Sequence, residues 1–189
     1  MSDMTTASQP RFQLSPKWRK MVLLLHVVSA VGWLGLHIGN VTFAITGLVT
    51  DDPVTQRTVF RAVDLLGGML LIPISLLAFT TGVVLALGTR WGLVRHWWVL
   101  TKFVLTLIPV ILIPVSLLPG YRDLAELVNE APAGQVVDTG TSGPSLVIAA
   151  IVSTSMYLTS VTLSVFKPWG RTKWGKRRLA RPTRAAATA

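Results

Sequence analysis

The chain has no cysteine, which removes disulfides, thiolate metal ligands and cysteine nucleophiles from any account of it. Charge is scarce as well: 14% of the residues are Asp, Glu, Lys or Arg, and only eight are acidic. Three histidines and two tyrosines complete a thin titratable inventory. No Gly-rich phosphate loop, HExxH helix or GxSxG elbow occurs, so the common nucleotide, metalloprotease and serine-hydrolase motifs are excluded. A metal site here has to use His, Met, carboxylate or backbone oxygen.

What is present is apolar. Of 189 residues 51% are hydrophobic, and the mean hydropathy is +0.56, the composition of a membrane protein. Met21 to Thr50 contains no charge over thirty residues, and about 20 apolar residues suffice to cross a bilayer as a helix. This stretch is too long for the core of a signal peptide and is read as a retained span. Three more follow, giving expected spans at about 21–48, 65–89, 97–118 and 145–166, between an N-terminal tail (1–20) and a basic C-terminal tail (167–189).

The charges follow the spans. Fifteen of the eighteen Lys and Arg lie in the two tails and the turn between the second and third spans, whereas seven of the eight acids lie in the other connections. The positive-inside rule then requires an even number of crossings with both termini cytoplasmic. The expected fold is therefore all-α, an integral four-helix bundle of the cell membrane. The net charge of +10 is assigned to the bilayer, with anionic lipid headgroups as partners of the C-terminal tail at about 1 kcal/mol per basic residue. Nucleic acid is not an expected partner, because no aromatic platform or folded module accompanies the charge.

Local signals refine this picture. Asp52 and Pro53 form an N-cap and first helical position, and Gly67-Gly68 and Pro73 are places for the second span to bend. Arg61 and Asp64, three apart, are expected to pair. The third span is expected to end at Pro119-Gly120, with Tyr121 to Glu130 forming a separate amphipathic helix on the outer surface. Lys102 is expected to snorkel to the boundary, and His96 to be hydrated there. The seven Ser and Thr between Ser153 and Ser164 of the fourth span can bond their own backbone or a neighbour.

The first span carries polar cargo. His26 and His37 are eleven residues apart, nearly on one face and about 16 Å apart along the axis. Trp33 and Asn40 fall on or beside that face, so a polar stripe runs along the helix. Such groups inside a bilayer point into the bundle, towards partners or a purpose. Gly32, Gly35 and Gly39 offer a small-residue surface for another helix or a planar ligand. On the functional reading His26 and His37 are metal ligands, with Trp33, Asn40 and Met69 completing a cofactor site and Met69 or Met156 as axial ligands. On the alternative reading the histidines fix helix packing in a cofactor-free accessory protein, a homo-oligomer or a subunit of a membrane complex. A metal permease is a third reading, for which intramembrane charges are too few.

The residues LHVVSAVGWLG, with His26, Trp33 and Gly35, resemble the opening helix of the superfamily that includes the copper-resistance D membrane domain and the HemJ-type protoporphyrinogen oxidase. The whole-chain arrangement resembles a bacterial family of four-span integral membrane proteins of unknown function within it. In the HemJ-type branch the histidine of this helix is implicated in haem binding. The resemblance thus implies haem b, or a related redox cofactor, at His26. Leu36, His37, Ile38 and Gly39 stand where the HemJ-type motif continues with Leu-Pro-Arg.

Overall fold

The computed structural model describes residues 13–89 and 91–173. The expectations for the N-terminal tail before residue 13 and for the basic tail after residue 173 fall outside the described residues.

Pro16 stands in the first turn of α1, where its missing N–H costs nothing, and the helix runs unbroken over Pro16–Val49. At 1.5 Å per residue these 34 residues extend about 50 Å. Thr50 to Asp52 reverse the chain. The Asp52 carboxylate accepts from Val54 N (3.2 Å), Thr55 N (2.9 Å) and the Thr55 hydroxyl (2.5 Å), and so caps α2 (Pro53–Leu66). The hydroxyl bond first, and the two amide bonds with it, hold that carboxyl below the usual carboxylate range.

Two long helices contain a wider turn each. The helix begun by α2 passes through a π-turn at Gly67–Leu71 into α3 (Ile72–Leu87). The helix begun by α4 (Trp97–Leu112) passes through a π-turn at Ile113–Leu117 into α5 (Leu118–Glu130). Proline is the physical cause. Pro73 and Pro114 lack the N–H of an α-helical bond, and each ring would press on a carbonyl one turn back. Widening the turn relieves the clash, as where Leu118 N–H reaches back five residues to Ile113 O. Pro119 and Gly120 therefore fall in the first turn of α5 and do not end the third helix. The separate surface helix expected at Tyr121 to Glu130 is a continuation of the third helix, packed against α2.

The last helix, α6, covers Ser142–Phe166 and is closed by Lys167 at φ 45°, whose N–H bonds Leu163 O. Its hydroxyls at Thr154, Ser155, Thr159, Thr162 and Ser164 donate to carbonyls four residues back. Of the two options open from sequence, these five take the helix's own backbone.

Among the described residues, four helices are thus long and apolar enough to cross a membrane. α1 is central, packing on α2, α3 and α6, while α4 packs on α6 and α2 on α5. Only 17–22% of each apolar window is buried within the chain. The outward faces present Leu24, Val28, Val31, Leu65, Val115, Ile148 and Val165, each 60% or more exposed. Inside lie Trp33, Val63, Leu71, Ala78, Ile113, Leu117 and Tyr121, with a smaller cluster of Phe60, Leu124 and Val128 towards the acidic end.

That end is stitched by side chains from α2. Gln56, 2% exposed, donates to Gly47 O (3.2 Å) and Val137 O (2.9 Å) and accepts from Val137 N (2.8 Å). Arg57 donates to Ala131 O and Pro132 O. Arg61 does not take Asp64 as its partner, as its spacing predicted; its Nε donates to Asn129 Oδ1 on α5. At the basic end His96 is not simply hydrated: its ring bonds Trp91 O (2.7 Å), and its backbone pairs with Arg171.

Candidate functional site

The polar stripe of α1 divides into two parts with different surroundings. His26 leans on α3, where its Nδ1 lies 2.9 Å from Ala78 O and 3.2 Å from Thr81 Oγ1. A carbonyl can only accept, so Nδ1 carries the proton. The Thr81 hydroxyl donates to Leu77 O (2.5 Å), which leaves its lone pair for the same N–H. The ring lies against Gly82, where a Cβ would come within 3.0 Å of His26 Cε1. Position, tautomer and ring plane are therefore held by α3, and Nε2 keeps its lone pair. This is the arrangement by which a backbone carbonyl prepares a histidine for a metal.

Lys102 of α4 donates from Nζ to Ser164 Oγ (2.7 Å), in the last turn of α6 at the basic end.

Trp33, His37 and Asn40 form the other part, about two to four turns further along α1. They are 2%, 1% and 1% exposed, and Tyr121 of α5, 3% exposed, joins them. The Trp33 and His37 rings are 5.8 Å apart and tilted by 33°; Tyr157 meets Trp33 edge-on at 6.0 Å and donates its hydroxyl to Ala30 O (2.6 Å). Trp33 Nε1, His37 Nδ1, both amide atoms of Asn40 and the Tyr121 hydroxyl are buried without a hydrogen-bond partner. The Tyr121 hydroxyl neighbours the Asn40 amide but stops short of a regular hydrogen bond.

Gly67 makes room for this cluster. A Cβ there would stand 2.7 Å from Tyr121 Cδ2.

Of the residues expected to bind a cofactor, with His37 at a second level from His26, the structure brings Trp33, His37 and Asn40 together and places His26 against α3. Met69 is 68% exposed on the outside of the bundle. Met156 lines an apolar opening of about 180 Å³ between α4 and α6, with Pro109 and Ile113 opposite. Among the described residues no group of three or more His, Asp and Glu comes together. His37 and Met69 do not stand with His26 as a two-ligand set.

No family model, curated protein or solved structure matches this chain.

Tyr121 is the site residue that sequence reasoning placed elsewhere. The signal for Tyr121 was its spacing: Ile113, Leu117 and Tyr121 recur every four residues and share a face once the helix continues past Pro119. Ending the helix at that proline hid it.

Proposed function

We propose that the protein is a small multi-pass protein of the cell membrane, with both termini cytoplasmic, that binds haem b or a related redox cofactor through His26. The membrane assignment is supported by the apolar exterior of four long helices and the segregation of basic from acidic residues. An aqueous surface carrying such patches is not found on soluble monomers.

One observation carries the cofactor reading: His26 donates from Nδ1 to Ala78 O, so that Nε2 faces its surroundings as a free base. The resemblance of the first span to the HemJ-type opening helix points to the same residue. When bound, such a group supplies one-electron chemistry. The chain's part is to hold it: His26 as ligand, Ala78 and Thr81 to orient the ring, and Gly82 to let its Cε1 edge approach α3.

The test is an absorption spectrum of protein purified in mild detergent and supplied with haem, oxidised and then reduced with dithionite. A Soret band that moves on reduction, is lost in His26→Ala and survives in His37→Ala is the expected result. A wild-type protein that stays colourless overturns the reading and favours the accessory alternative. That alternative has its own observation. Gly35 and Gly39 face open space, with no atom within 4 Å of where a Cβ would stand, and they form the small-residue pattern on which membrane helices associate.

A further inference from the structure

We propose that Trp33, His37, Asn40 and Tyr121 form a second site, separate from His26, that binds an uncharged carbonyl compound of the quinone class drawn from the bilayer. All four side chains are at least 97% buried, and five of their nitrogen and oxygen atoms have no partner. Buried polar groups are nearly always hydrogen-bonded. Five unpaired atoms on neighbouring side chains therefore mark the place of a ligand.

The ligand's chemistry follows from which atoms are unpaired. Trp33 Nε1 and Asn40 Nδ2 can only donate, Asn40 Oδ1 can only accept, and the Tyr121 hydroxyl and His37 Nδ1 can do either. Donors predominate: the indole N–H, the Asn40 amide N–H groups and the Tyr121 hydroxyl outnumber the single obligate acceptor, Asn40 Oδ1, and the complement of such a set is acceptor oxygen. No Lys, Arg, Asp or Glu belongs to the set, and an ion buried against it would be uncompensated. The ligand is therefore neutral.

The walls are aromatic. Trp33, His37, Tyr121 and Tyr157 surround the polar atoms, and flat rings pack on such surfaces. A neutral, planar, bilayer-soluble molecule with acceptor oxygens on its ring is a quinone head group.

The backbone is specialised at the same place. Leu71 from one π-turn, and Ile113 and Leu117 from the other, pack in the cluster that contains Trp33 and Tyr121. π-turns concentrate at functional sites, because the widened turn re-aims side chains and loosens the helix locally. Tyr121 begins one helical turn beyond such a segment, on the α5 side of the ligand, and is the side chain that must swing aside to admit it.

The experiment is equilibrium binding to the full-length protein in nanodiscs, with decyl-ubiquinone as the probe and the same ring and tail lacking the carbonyl oxygens as control. The expected result is saturable one-to-one binding of the quinone and none of the control, whether or not haem is supplied. Tyr121→Phe and Asn40→Leu are expected to weaken it tenfold or more. Tyr121→Phe removes a single oxygen and decides the matter if Asn40→Leu fails to fold. The proposal is overturned if the wild type shows no saturable quinone binding. Equal binding of the control, or an unchanged affinity in folded Tyr121→Phe, overturns it too.

Discussion

His26 meets a carbonyl and a hydroxyl of the neighbouring helix, whereas His37, eleven residues on, meets neither. In the sequence the two read alike, as imidazoles on one face of one apolar helix. The difference arises from what stands opposite: Ala78, Thr81 and Gly82 across from the first, and Trp33 beside the second. Glycine decides the close approaches on both sides. Gly67→Ala would put a methyl 2.7 Å from Tyr121 Cδ2, and overpacking of this kind costs about 1–3 kcal/mol. Unfolding of Gly67→Ala in detergent is expected at correspondingly lower denaturant, with Gly68→Ala, which meets open space, as the matched control. Equal losses in the two would show that helix propensity, not the Tyr121 ring, governs position 67.

At the scale of elements, the prolines decide more than their usual role as breakers implies. Pro73, Pro114 and Pro119 all lie within continuous rods, because a π-turn absorbs the missing donor where an α-turn could not. Extending the third helix past Pro119 also carries Leu124 and Val128 into contact with Phe60 of α2. The connection between α5 and α6 is then held by Gln56, whose amide makes three hydrogen bonds to Gly47 and Val137. Gln56→Leu leaves those backbone groups unpaired, a loss on the order of 3 kcal/mol. It is expected to show as faster amide exchange or protease cleavage between residues 131 and 141; protection equal to the wild type would mean that Arg57 alone holds the loop. The Asp52 cap of α2 carries a lowered carboxyl pKa. It therefore contributes above the unfolded-state value and is lost only as pH falls through the lower folded one.

For the whole molecule, the absence of cysteine makes topology directly measurable. Gln135→Cys lies in the connection at the acidic end and Lys173→Cys at the basic end, both exposed. On the proposed topology, an impermeant maleimide added to intact cells is expected to label Gln135→Cys at once and Lys173→Cys only after permeabilisation. The reverse pattern would invert the orientation, and equal labelling of both would mean an odd number of crossings. Composition and charge order were enough to read an all-helical chain with four long apolar helices, because a bilayer-length helix needs only a continuous run of apolar residues and satisfies its own backbone. The same local logic made the Asp52 cap and the bend at Gly67 legible. Which groups face one another across the bundle was decided only by the tertiary structure. The different surroundings of His26 and His37, the inclusion of Tyr121 and the exposure of Met69 all depend on the rotation of each helix about its axis. That rotation is set by packing and by the offset each π-turn introduces, neither of which is written in the residues of a single helix.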